Sequence, residues 1–237
     1  MQTRTRFEPS DLNSMLDRFK NKYACEEGFI SVDSGEHGLI IPQHPYIKWH
    51  CVHNDRHFVI CKLAKDAQSK TNEAYLPYIG ELIQNYKNQY PDSKATLVVP
   101  MRQCRGYAKV PATLWSVAPL LQCQHVVLVE VNLARRHIAL HNSQTSSYTY
   151  PDKLVAIANS LDFKYDAYYY ETQKDSSSCG YYVWAYIRSL LRTGTTDAFP
   201  NISLDDELYD SKKTFVAHWD EVDEQHLASS GQARSLQ

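Results

Sequence analysis

The run at residues 125–131 (HVVLVEV) constrains the fold more than any other part of the chain. Four valines and a leucine in seven residues favour an extended backbone, because branched side chains pack well on a pleated surface. Apolar residues at both odd and even positions mean that both faces of that strand are covered, which places it inside a sheet and not at its rim. A second apolar run at 95–99 (ATLVV), expected to stop at Pro100, suits another buried strand. Residues 132–135 can turn the chain so that 136–141 (RHIALH) pairs back on the first strand.

Around these strands the period changes from two to about three and a half. Residues 10–23 carry Leu12, Met15, Leu16 and Phe19 at helical spacing behind a capping Ser10. Residues 74–90 repeat the pattern with Leu76, Ile79, Leu82, Ile83 and Tyr86, with Pro77 tolerable in the first turn and Pro91 as the stop. A strand over 57–63, a short helix over 152–160 and an aromatic strand over 166–171 follow from the same reasoning. The last helix runs from Cys179 to about residue 192, with residues 176–178 able to cap it. This mixture predicts an α+β fold, a central mixed sheet flanked by helices.

With 237 residues the chain fits one sizeable domain. We expect a catalytic domain over 1–194, divided into a variable recognition part (1–94) and a catalytic core (95–194). After Gly194 the composition turns polar and acidic, and 195–237 is expected to be an appendage or tail. A formal net charge of -2 supplies no broad basic field, so nucleic acid is not an expected partner. Residues 1–9 hold Arg4 and Arg6 without an apolar run behind them, and no stretch approaches 18 apolar residues. Neither a secretory signal nor a membrane span is therefore expected. The six cysteines are widely scattered, which points to reduced thiols in a cytoplasmic setting, and a monomer is expected.

One of those thiols has the setting of a nucleophile. Cys179 opens a helix, where the positive end of the dipole favours thiolate. Gly180 follows it and clears space for a substrate carbonyl to approach the backbone. Gln173 lies six residues earlier, across a polar loop, and can turn its amide toward a developing oxyanion. A thiol also needs a base, and His125 stands at the start of the strongest strand. Asn142 comes 17 residues later, at the far end of the hairpin partner, and so returns beside His125. Its side-chain oxygen can accept the imidazole N–H and set the tautomer.

His125 with its Val-rich strand, HNS at 141–143, Gln173, KDSSS and Cys179–Gly180 together resemble the ubiquitin-like protease family of clan CE cysteine peptidases. The resemblance covers about residues 95–191. It implies a papain-like fold, removal of ubiquitin, SUMO or a related modifier, and catalytic roles for His125, Asn142, Gln173 and Cys179. It implies no cofactor or metal, and a modifier and its conjugates as partners. By analogy with bacterial effectors of the clan it favours ubiquitin over SUMO and the host cytoplasm as the place of action. Three positions depart from the family pattern: Val126 replaces an aromatic residue, Ser178 an Asp, and Asn142 the usual acid. Asn142 cannot stabilise imidazolium by charge.

Other readings compete. Trp49, His50, Cys51, His53, His57 and Cys61 contain zinc-ligand types but no CxxC pair or regular spacing. His57 also opens a strand and is a rival base, without an acid or amide at matching distance. An effector acetyltransferase using the same Cys-His chemistry would need an acetyl-coenzyme A pocket, and no basic cluster after Cys179 serves one. A non-catalytic binder of ubiquitin-like proteins is favoured only by Asn142 and Val126.

Overall fold

A computed structural model of the chain describes residues 9–23, 29–32, 47–53, 56–61, 75–104, 124–145, 151–175 and 178–204, with positions 221 and 225. In chain order the elements are α1 (Pro9–Tyr23), β1 (Phe29–Val32), β2 (Ile47–His53), β3 (Arg56–Cys61), α2 (Tyr75–Gln89) and β4 (Thr96–Cys104). They continue as β5 (Gln124–Asn132), β6 (His137–Asn142), α3 (Pro151–Ser160), β7 (Lys164–Tyr169) and α4 (Cys179–Thr193), followed by a 3-10 turn at Phe199–Asn201.

The strands form one seven-stranded sheet whose spatial order follows the sequence, β1 to β7. Pairing is antiparallel except for β3 with β4 and β6 with β7. Those two parallel pairs are the ones connected through α2 and α3, as geometry requires, because a parallel neighbour is reached only by a long crossover. The expected α+β architecture, a mixed sheet flanked by helices, is the one found.

The pleat explains the doubly apolar strand. Val126 and Leu128 enter a core with α1 and α4, where they meet Leu12, Phe19, Trp184 and Tyr181. Val127, Val129 and Val131 enter a second core with α2 and α3, among Ile79, Ile83, Leu154 and Phe163. Each face thus removes its own set of side chains from water, at about 25 cal/mol per Å² of apolar surface.

Helix α4 has 12 of its 15 residues buried, so it behaves as a core element held from nearly all sides. Gly194 ends it in the left-handed conformation (φ 70°), and its N–H donates to Leu190 O at 2.7 Å. The chain then returns to the core: Phe199 stacks on Tyr186 with ring centroids 4.6 Å apart, and Leu204 joins the same cluster. Most of the acidic segment beyond it lies outside the described residues, as do residues 1–8.

Several expected boundaries move. β4 does not stop at Pro100: it runs on to Cys104, with Pro100 opposite Leu128 of β5. Pairing with β3 ends at Val98, so from there the described strand is paired on one side only, the setting in which a proline is tolerated. β3 is described as far as Cys61, residues 62 and 63 of the expected strand lying outside the described residues, and β7 starts at Lys164, two residues before the expected start.

Candidate active site

Pairing between β5 and β6 runs from Asn132 opposite His137 to Leu128 opposite His141. Beyond it the start of β5 and the end of β6 are not laddered to each other, and their side chains meet in the opening. There the His125 ring nitrogen Nε2 lies 2.7 Å from Asn142 Oδ1, with both residues buried. The orientation of the Asn142 amide is determined by its other neighbours. Its Oδ1 also accepts the Gln144 backbone N–H at 2.9 Å, and its Nδ2 faces Thr145 O at 3.4 Å. The atom facing His125 is therefore an acceptor, so Nε2 must carry the proton and neutral His125 keeps its lone pair on Nδ1. Burial lowers the His125 pKa below its ordinary 6.5, and the bond to Asn142 offsets part of that shift.

The loop from β7 to α4 is tied to the same end of β6. Tyr170 N–H donates to Asn142 O and Gln173 N–H to Ser143 O, both at 2.9 Å. Glu171, at φ 56°, turns the chain off the sheet between them. The Gln173 side chain is held at both ends of its amide: Ser143 Oγ donates to Oε1 at 2.7 Å, and Nε2 donates to Asp175 O at 2.8 Å. Gln144 Nε2 reaches the same Asp175 carbonyl at 2.8 Å. The Asp175 carboxylate accepts the Ser178 N–H at 2.7 Å and the Ser178 hydroxyl in a short bond.

Cys179 follows as the first residue of α4. It is buried in the same core cluster as Val126 and Leu128 of β5, the strand against which α4 packs. Ser178 occupies the N-cap position but makes no side-chain cap bond, contrary to the expected capping role. Its hydroxyl proton goes to the Asp175 carboxylate instead, because an ionised acceptor outcompetes any role toward the helix. Residues 176 and 177 lie outside the described residues.

His125, Asn142 and Gln173 are thus joined through one short stretch of β6 and its extension, and Asp175 connects that stretch to the start of α4. Two residues of this network were not singled out from the sequence. Asp175 holds the N–H and hydroxyl of Ser178 from three residues upstream; the signal was the spacing Asp-x-x-Ser, in which an Asp side chain meets the backbone beyond it. Ser143 stands beside Asn142 and carried no signal of its own.

The other histidine and cysteine cluster is divided by the pleat. Trp49 and Cys51 face the core that contains α4, whereas Cys61 belongs to the core beneath α2. His50 stacks on Tyr86 of α2, and its Nδ1 lies 3.1 Å from His57 Nε2. Burial, with the neighbouring His57, pushes His50 down to about 4, and burial also lowers His57. Among the described residues the rival base therefore has another imidazole as its hydrogen-bond partner, not an amide or acid.

The His125–Asn142 pair gives a graded prediction. Asn142→Ala should reduce turnover partially, since the ring loses the acceptor that fixes its tautomer while Cys179 is untouched. Asn142→Asp should keep or raise turnover at pH 8, because a carboxylate accepts the same N–H and also favours imidazolium. The sign of the pH effect follows: wild-type His125, with its pKa lowered, remains neutral below pH 6.5, so the acid limb of kcat/KM lies below that value. In Asn142→Asp the limb should move to higher pH. A pH–rate profile checks this, and an unmoved limb together with wild-type turnover in Asn142→Ala would remove Asn142 from the site.

No protein-family model matches the sequence, and no curated protein matches it. Solved structures do share its fold. The Legionella pneumophila effector protein RavZ in complex with human LC3B superposes with a TM-score of 0.54 at 12% identity, over 90% of this chain and 60% of that one. A second RavZ structure gives 0.53 at 14% identity, over 80% of this chain and 55% of that one. The Chlamydia trachomatis effector protein Cdu1 bound to ubiquitin gives 0.49 at 12% identity, over 96% of both chains. The chain thus spans a little over half the length of the RavZ chains it matches. What the chain shares with the RavZ structures is the fold.

Proposed function

We propose that the chain is a cysteine peptidase that hydrolyses the bond after the C-terminal glycine of ubiquitin or a ubiquitin-like modifier. The observation that carries this reading is the buried 2.7 Å bond between His125 Nε2 and Asn142 Oδ1, which leaves Nδ1 as a base beside the strand that α4 and its leading Cys179 pack against. An imidazole held in one tautomer with Nδ1 as its acceptor is the form that general-base catalysis requires.

In the reaction, His125 Nδ1 takes the Cys179 proton and the thiolate attacks the glycine carbonyl. The tetrahedral oxyanion is met by the Gln173 amide and the Cys179 N–H. His125 then protonates the leaving lysine amine, and afterwards activates water to release the acyl-enzyme. Supporting the substrate class, RavZ, whose fold the chain shares, is crystallised with LC3B. We place ubiquitin ahead of SUMO as the modifier and the host cytoplasm as the place of action; no helix among the described residues is long and apolar enough to cross a membrane.

The test is a panel of modifiers, ubiquitin, SUMO and LC3B, each ending in an electrophile that traps thiolates. Incubation with the purified chain should give a covalent adduct at Cys179 with at least one of them, and mass spectrometry should map it to that residue. Absence of any adduct across the panel overturns the reading.

A further inference from the structure

The Gln173 amide is oriented by a residue on a different element. Ser143, directly after Asn142, grips Gln173 twice: its carbonyl accepts the Gln173 backbone N–H at 2.9 Å, and its hydroxyl donates to Gln173 Oε1 at 2.7 Å. Both residues are buried, with Ser143 only 2% exposed and Gln173 7%. On the other side of the amide, Asp175 O, which can only accept, takes a proton from Nε2. The flipped amide would set Oε1 against that carbonyl and lose the bond, whereas the Ser143 hydroxyl, able to donate or to accept, holds the side chain in place either way.

We infer that Ser143 is a positioning residue for the oxyanion donor: it locks the Gln173 side chain in the rotamer in which Asp175 O, an acceptor alone, fixes the end that presents N–H to the reacting carbonyl. This rests on the proposed peptidase reading and deepens it. One dipeptide then sets both halves of the chemistry, Asn142 through the tautomer of His125 and Ser143 through the amide of Gln173. Preorganisation matters because an oxyanion donor contributes to the rate only if it is aimed before charge develops. Removing the hydroxyl leaves Gln173 tethered by its backbone and Asp175 but free to sample other side-chain rotations.

The test uses Ser143→Ala, Gln173→Ala and the double variant, with the aminomethylcoumarin amides of ubiquitin, SUMO and LC3B as substrates. Ser143→Ala should lower kcat about tenfold, the factor one hydrogen bond is worth, with little change in KM. In the Gln173→Ala background the same substitution should add nothing, because the group it positions has gone. Alkylation of Cys179 by iodoacetamide separates positioning from a general loss of structure. That reaction joins sulfur to carbon and expels iodide without forming an oxyanion, so its rate should stay at the wild-type value in Ser143→Ala.

Wild-type turnover in Ser143→Ala, additive losses in the double variant, or alkylation that falls in parallel with turnover would each overturn the inference while leaving the peptidase reading intact. A wild-type chain that cleaves none of the three substrates would overturn the reading and the inference with it.

Discussion

Cys179→Ala should abolish turnover and trapping by every modifier probe, a loss on the order of 10⁴-fold or more. The substitution removes a single sulfur atom at the start of α4 and leaves the backbone bonds there intact. Eleven other buried residues of α4 keep the helix in place, so the circular dichroism spectrum and cooperative unfolding should persist. No other described thiol can take over. Cys51 and Cys61 form no disulfide but are buried in the cores on either side of β2 and β3, and burial pushes the Cys51 thiol far above its ordinary pKa. A thiol kept protonated there offers no nucleophile. Release of aminomethylcoumarin from the modifier amides, followed with and without the substitution, checks the expectation. Turnover retained in Cys179→Ala would place the nucleophile elsewhere.

Much of the sheet was legible because its central strand carries the signature of burial on two faces. The valines of β5 sort alternately into two cores, in keeping with the buried strand expected there. Helices with a strong 3.6-residue period, α1, α2 and α4, were also readable, each beginning within one residue of its expected start. Positions governed by neighbours in space were not. Pro100 reads as a stop in any one-dimensional account, and only the sheet, in which described pairing with β3 reaches no further than Val98 while pairing with β5 continues, shows how the strand passes through it. Ser178 reads as a cap, and only the folded loop shows that Asp175 claims its hydroxyl.

The candidate site divides along the same line. Spacing brought His125 and Asn142 together, because a hairpin converts 17 residues of sequence into adjacency, and the bond is present. The placement of Gln173 required the loop after β7 to cross the end of β6. That is a tertiary event, recorded in its bonds to Ser143.

His125→Ala should cost nearly as much as loss of the thiol, again on the order of 10⁴-fold in kcat, because nucleophile and base act as one unit. The fold should tolerate it better than most buried polar losses. Truncating the ring removes the partner 2.7 Å from Asn142 Oδ1, yet that oxygen keeps the Gln144 N–H at 2.9 Å and is not left without a donor. The cavity is the main stability cost, a few kcal/mol at most by comparison with other large-to-small core changes. Unlike Ser143→Ala, this variant should also slow alkylation of Cys179 at neutral pH, since the thiol loses the base that takes its proton. Raising the pH should restore alkylation, because hydroxide then does what the imidazole did, whereas turnover should stay low because protonation of the leaving amine still has no donor. The double variant with Cys179→Ala should be no worse than either single one. If His125→Ala turns over within tenfold of wild type, or if its alkylation rate at neutral pH equals that of the wild type, His125 is not the base, and its bond to Asn142 merely closes the opening between β5 and β6.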